Sequence, residues 1–462
     1  MGVNFSLFEI GRRALRAGQL GVAVAGHNIA NVGTPGYSRQ TVQLSATPPI
    51  NTSGQLVGAG VNIDGVKSLR DQFIAARLQS ETAINGRLTA QRDTLTPVEA
   101  TFNELDATGG INAGLQGFFG AFRSLEASPA STSLRTSVVE RGKVLASAFH
   151  TTRAQVVEAR TSADQDVRAT VNAVNDLTEK VATLNAKILV AETVGGNSGD
   201  LQDQRDNYVR QVAELTGARA TANLDGSITL TVGDGQALVS GDQATALTIE
   251  NTPPDGLATI KLAGQPAVIS DGKLRGLQEA LNNIGGYLQT LDDLAGTVAA
   301  RVNTLHAAGT DLSGNAGTAF FVASGGTTIT AATFAVSATL QDGRRVVATP
   351  SGAGTGDGSV ARNIANLIND KTSVVGTQTG SFTSIYGALV SAVGETVGTI
   401  DDDLKTQAAI LAQTEAQRNS ISGVSLDEEA LNLLQYQKAY EAAARFLKVA
   451  DEMTQTILQL GQ

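Results

Sequence analysis

Cysteine and tryptophan are absent from the 462-residue chain, histidine occurs three times, and aromatic residues make up 4%. Without cysteine there is no disulfide framework and no thiolate chemistry. His27, His150 and His306 are scattered, so no His/Cys metal-ligand spacing exists and neither a metal nor a cofactor is expected. The shortage of aromatics leaves little for a pocket built on large anchors. Basic runs are missing too: 34 Lys and Arg face 44 Asp and Glu, the net charge is -10, and no cluster of five cations occurs. Nucleic acid is therefore a poor partner. No segment approaches the ~20 apolar residues of a membrane span, so membrane insertion is not expected. Residues 20–25 follow Arg12, Arg13 and Arg16, but that apolar run is shorter than the ~7–15 residues of a signal core. Export, if it occurs, would use a route without a cleaved signal peptide.

Catalysis finds no constellation either. Asp292 with Asp293, and Asp401 to Asp403, lie on helical stretches and read as solvated faces. No nucleophile, base and orienting group can be assembled by spacing, so the chain is not expected to be an enzyme. The glycine-rich stretch SGAGTGDGS, residues 351–359, lacks the GKS or GKT ending of a phosphate-binding loop and reads as a surface link.

What the chain does have is pattern at its two ends. Phe8, Leu15, Val22 and Ile29 fall seven apart, with Gly11, Gly18 and Ala25 between them. Such a seam suits close backbone approach. Gly11, Gly18, Gly21 and Gly26 each cost a helix about 1 kcal/mol relative to Ala, so this segment is expected to fold only when a partner surface covers it. The helix should stop near Asn31, with Gly33 as a left-handed terminator and Pro35-Gly36 in a type II turn. At the far end, Ser425 and Glu428 make an S-x-x-E capping box. Leu426, Leu433, Tyr440 and Leu447 then form one heptad row and Ala430, Gln437 and Ala444 a second, with Ala450, Met453, Ile457 and Leu460 continuing the stripe.

Between these ends the length suits about three domains. A small β excursion with Val42, Leu44, Val57, Val61, Ile63 and Val66 precedes helical periodicity carrying Leu88, Leu95, Val98, Phe102 and Leu105, which Pro97 should kink or interrupt. Further helices carry Phe118, Phe119, Phe122 and Leu125, and span about 134–192, 200–215, 274–305, 386–419 and 425–460. Period-two alternation marks residues 216–270, with Ile228, Leu230, Val232, Ile260 and Leu262. The expected fold is mainly α with β-rich inserted domains: terminal helices forming a coiled-coil core, a long helical bundle and an outer β domain. The boundaries are 1–38 with 425–462 for the terminal layer, 39–215 with 271–310 and 376–424 for the bundle, 216–270 for the β-rich domain and 318–375 for a small inserted outer segment.

NIANVGTPGYSRQ, residues 28–40, resembles the N-terminal motif of the axial proteins of the bacterial flagellum. Residues 110–149 (GINAGLQGFFGAFRSLEASP to ASAF) and DLQDQRDNYVRQVAEL, residues 200–215, resemble the hook-filament junction members of that family. SGVSLDEEALNLLQYQKAYEAAAR, residues 422–445, completes the likeness. Residues 318–375 have no counterpart, which implies a reduced outer domain. The resemblance implies a non-catalytic structural subunit that assembles as a ring between hook and filament. Its partners would be the hook protein, a second junction protein and an export chaperone on the C-terminal helix. It also implies type III export to the cell exterior without cleavage. The carried-over positions are Asn28, Asn31, Pro35, Gly36 and Tyr37 for the turn, and Ser425, Leu426, Asp427, Glu428, Tyr440, Ala442, Ala443, Ala444 and Arg445 for the last helix. Ala430 stands where the family has Met. A rod or hook subunit is the alternative, because it shares both termini.

Overall fold

The computed structural model describes residues 2–52, 55–102, 110–194, 196–252 and 257–460. The fold is mostly helical with small antiparallel sheets. Its helices are α1 (Gly2–Ala30), α2 (Gln72–Phe102), α3 (Ile111–Ala127), α4 (Thr132–Thr193), α5 (Gly199–Thr216), α6 (Gly272–Ala307), α7 (Ser359–Asn366), α8 (Phe382–Ser422) and α9 (Leu426–Leu460). The chain divides into two compact units, residues 1–86, 170–273 and 406–462 in one, 87–169 and 274–405 in the other.

In the first unit α1 is followed by β1 (Gln40–Ala46), β2 (Ile50–Thr52), β3 (Gln55–Val57) and β4 (Val61–Ser68). β1 pairs antiparallel with β4, and the register shifts between Gln43 and Leu44. Gly65, opposite Gln43, holds φ at 146°, which only glycine adopts cheaply. The period-two region folds as β5 (Arg219–Ala222), β6 (Ile228–Val232), β7 (Gln236–Ser240) and β8 (Gln243–Ala244) in one sheet. A second sheet holds β9 (Leu247–Thr252), β10 (Leu257–Leu262) and β11 (Gln265–Pro266). Ile228, Leu230 and Val232 are buried, as alternation requires. Two asparagines of α4 hold these strands: Asn185 donates to the Ile228 and Gly241 carbonyls and accepts from the Ile228 N–H. Asn175 exchanges both bonds with Leu247. Side-chain amides can copy a strand's paired donor and acceptor, and so fasten a sheet to a helix.

The core of the second unit is phenylalanine. Phe118, Phe119 and Phe122 of α3 are fully buried with Phe149, Phe320, Phe321, Phe334 and Phe382. Phe118 lies 5.3 Å from Phe320 and 5.1 Å from Phe321, and Phe321 lies 4.2 Å from Phe334. The segment after residue 318 thus adds three rings to the helical core. Its short ladders are β12 (Gly309–Thr310) with β15 (Thr349–Pro350), β13 (Phe321–Ala323) with β14 (Phe334–Val336), and β16 (Ser373–Val375) with β17 (Gln378–Gly380). His306 buckles the segment to α6. Its Nδ1 bonds the Thr318 carbonyl at 2.6 Å, and its Nε2 accepts from the Val347 N–H at 2.9 Å.

Two local expectations are corrected. Pro97 lies inside α2 and does not end it. Leu95, Val98 and Phe102 are at most 1% exposed, and burying three such side chains at ~1.5–3 kcal/mol each outweighs the ~3 kcal/mol of an interior proline. Gly33 is not a left-handed terminator. α1 ends at Ala30 in consecutive turns, and the left-handed residue is Gly36, at φ 85°. The Tyr37 N–H bonds the Thr34 carbonyl at 3.2 Å, closing the expected type II turn around Pro35-Gly36. Residues 351–357 are an exposed link, whereas Leu105 lies outside the described residues.

Candidate functional site

The sequence's two patterned ends meet in the first unit. A Cβ at Gly11 would lie 2.6 Å from Leu447 Cγ, one at Gly18 3.2 Å from Tyr440 Cβ, and one at Gly21 2.3 Å from Tyr436 Cδ1. Ascending α1 therefore descends α9, so the two helices pack antiparallel. Small residues of one take large residues of the other, and the surface that covers the N-terminal seam is the chain's own C-terminal helix. This close approach is what the glycines permit, and it explains why they stand where helix propensity disfavours them.

The α1-facing side of α9 carries Leu433, Tyr440 and Leu447 in one row. The second row is Glu429, Tyr436, Ala443 and Ala450, one residue away from the expected Ala430, Gln437 and Ala444, which are exposed. Both rows satisfy a heptad, and the choice falls to Glu429, whose buried carboxylate meets Asn28 and Arg39 on this side. Phe8, Leu15, Val22 and Ile29 are half-buried beside the glycine face. Leu433 and Leu447 are half-buried, whereas Leu426, Tyr440 and Ile457 are 52%, 42% and 53% exposed. The Leu460 side chain lies outside the described residues.

The turn after α1 fastens the pair. Asn28, 1% exposed, donates to the Gln40 carbonyl at 2.9 Å and to Glu429 at 3.0 Å. Its Oδ1 accepts from the Gln40 N–H at 2.9 Å and from the Tyr37 hydroxyl at 2.8 Å. All four bonding positions of the amide are filled. Burial, and then the nearby Asp200, Asp203 and Glu429 carboxylates, push the Tyr37 phenol well above its ordinary range, so it stays protonated as a donor. Asn31 bonds back to the His27 carbonyl at 3.0 Å. Pro35-Gly36 sets the turn that Arg418 holds from α8, donating to the Gly36 carbonyl at 2.7 Å.

At α9's start only half of the capping box forms. The Ser425 hydroxyl accepts from the Glu428 N–H at 3.5 Å, but Glu428's carboxylate pairs with Arg39 at 2.7 Å. Arg39 Nε also meets Glu429 at 2.7 Å, and the Arg39 N–H bonds the Ser422 carbonyl. An arginine fork between two carboxylates is stronger than the neutral cap it replaces. Sequence reading missed Arg39 and Glu429, and also Asp203, which accepts from the Ser38 N–H at 3.0 Å and pairs with Arg70 at 2.7 Å. The available signal was opposite charge, Arg39 within one motif and Glu428-Glu429 within the other.

Comparison with known proteins accords with this arrangement. A family model described as the flagellar hook-associated protein FlgK helical domain matches residues 95–321. A second, the flagellar basal body rod FlgEFG protein C-terminal, matches residues 415–460. Flagellar hook-associated protein 1 of Bacillus subtilis is 28% identical, covering 99% of this chain and 98% of that protein. The Escherichia coli protein of that name is 24% identical over 98% of this chain and 100% of its own. The flagellar hook junction protein FlgK from Burkholderia pseudomallei shares the fold, with a TM-score of 0.67 at 16% identity, covering 75% of this chain and 100% of that one. With a junction-type helical domain between termini of the axial type, and relatives matched almost end to end, this chain is similar along its length to flagellar hook-associated protein 1.

Proposed function

We propose that this chain is the structural, non-catalytic subunit that joins flagellar hook to filament, assembling as a ring through α1 and α9. The observation that carries the reading is α9's outer side. At about 100° per residue, Leu431, Leu434 and Val449 face away from the α1 seam, and they are 68%, 52% and 53% exposed. A row of large apolar side chains on the free side of an anchored helix is an association surface. Residues 1–38 with 425–462 act as a coiled-coil assembly layer, with subunit packing through Phe8, Leu15, Val22, Ile29, Leu426, Leu433, Tyr440, Leu447, Ile457 and Leu460. The helical bundle, the β-rich part 216–270 and the segment 318–375 are the subunit's further parts.

The hook protein on one side and a second junction protein on the other complete the joint. An export chaperone covers the C-terminal helix before secretion, and the chain reaches the cell exterior by type III export without a cleaved signal peptide. Among the described residues no helix is long and apolar enough to cross a membrane. The test is a deletion strain. Finished hooks without filaments are expected, and loss of complete hooks would instead make the chain a rod or hook subunit. Leu433→Asp with Leu447→Asp should abolish filament attachment while leaving the β-rich part folded. Normal motility in that double variant would remove the terminal seam from the mechanism.

A further inference from the structure

In the first unit a cleft of about 700 Å³ opens beside the Gly36 turn. Five cations line it, Lys67, Arg70, Arg205, Arg210 and Arg418, against three carboxylates. This surplus runs against a chain whose net charge is -10. The carboxylates are already engaged. Asp71 Oδ1 accepts from the Phe73 N–H at 2.8 Å at the start of α2. Asp203 serves Arg70 and the Ser38 N–H. Asp206 lies 3.3 Å from Arg70 and 3.7 Å from Arg205.

Lys67, Arg210 and Arg418 are left over. Arg210 donates to the Asn207 side chain and Arg418 to the Gly36 and Tyr37 carbonyls, all neutral acceptors. Burial first, then Arg210, lower Arg418's hold on its proton, against the opposing pull of Asp203 and Asp206. Arg205 is 6% exposed and donates to the Gly226 carbonyl at 2.8 Å, with its Nε no nearer than 3.7 Å to Asp206, and the buried Nε of Arg70 makes no hydrogen bond. Unspent guanidinium donors in a cleft of surplus positive charge match the oxygens of a carboxylate or phosphate. We infer that this cleft binds an oxyanion, held chiefly by Arg210 and Arg418 with Arg205 behind them. Its charge would relieve the repulsion among the arginines, and through Arg418 it would bear on the turn that ties α1 to α9.

The experiment is calorimetric titration of the full-length chain with inorganic phosphate at constant ionic strength. One phosphate per chain is expected, with a dissociation constant on the order of 1 mM or tighter. Arg210→Gln and Arg418→Gln should each weaken it at least ~5-fold, and Lys405→Gln, in the other unit, should leave it unchanged. Circular dichroism confirms that the variants fold, and Arg418→Lys, which keeps the charge, should recover part of the binding. Equal heats in wild type and both Gln variants, or no saturable binding, would overturn the inference. Glutarate is titrated in parallel. Binding tighter than phosphate assigns the cleft to an acidic side chain of a neighbouring subunit, and weaker binding assigns it to a free ion.

Discussion

Gly21 and Gly26 stand five residues apart on α1, and alanine should act oppositely at the two. In an exposed helix Gly→Ala stabilises by about 1 kcal/mol, because glycine loses more freedom on folding. At Gly26 nothing lies within 4 Å of the added Cβ, so that gain should be realised. At Gly21 the Cβ would sit 2.3 Å from Tyr436 Cδ1 and 2.4 Å from Cγ. Those atoms are the root of the ring, which cannot swing clear as a flexible chain end could, so α1 and α9 must separate. Overpacking of this kind costs ~1–3 kcal/mol. Subtracting the propensity gain leaves a net loss of up to about 2 kcal/mol at Gly21 against a gain of about 1 kcal/mol at Gly26. Hydrogen exchange of α1 amides reads this locally, without requiring the two units to unfold together. Exchange through opening of the pair should speed by up to roughly 30-fold in Gly21→Ala and slow in Gly26→Ala. Tyr436→Ala should remove most of the Gly21→Ala penalty in a double-mutant cycle. Equal effects at the two glycines would refute the close helix contact.

Protonation of His306 should loosen the second unit in acid. Burial, with Arg135 adding to it, pushes this imidazole from 6.5 down to about 4. The unfolded chain therefore takes up the proton first, and stability falls as pH drops from 6.5 towards 4, by roughly 3 kcal/mol in total. Urea unfolding at pH 7 and 4.5 should show this, and the difference should shrink in His306→Gln. Arg39→Ala leaves Glu429, 2% exposed, without its cation. A loss of about 2–4 kcal/mol is expected, larger than that of Glu428→Ala, by chemical denaturation. Asn28→Asp sets a carboxylate beside Glu429 and removes the donor to the Gln40 carbonyl. It should speed proteolysis at both chain ends at pH 7 and less so at pH 4, and a pH-independent effect would refute the charge argument.

The sequence by itself determined the elements and their periods. Helix boundaries at α3 to α6, the two-residue period of β6, and the seven-residue spacing of both termini follow from local pattern, because burial on one face imposes its period on the chain. The Pro35-Gly36 turn was legible for the same reason, since only glycine accepts φ of 85° cheaply. Tertiary structure alone decided which surfaces meet. The second row of α9 could be Ala430 or Glu429 by spacing, and a lone alanine is the more apolar choice. Glu429 faces inward because Asn28 and Arg39, about 400 residues away in sequence, supply the bonds that make a buried carboxylate tolerable. Pro97 stayed helical because distant side chains bury Leu95 and Val98. The arginine cleft was likewise invisible, since Arg70, the Arg205–Arg210 stretch of α5 and Arg418 are far apart in sequence. Local free energies are written along the chain, but pairing energies depend on partners that only the folded molecule brings together.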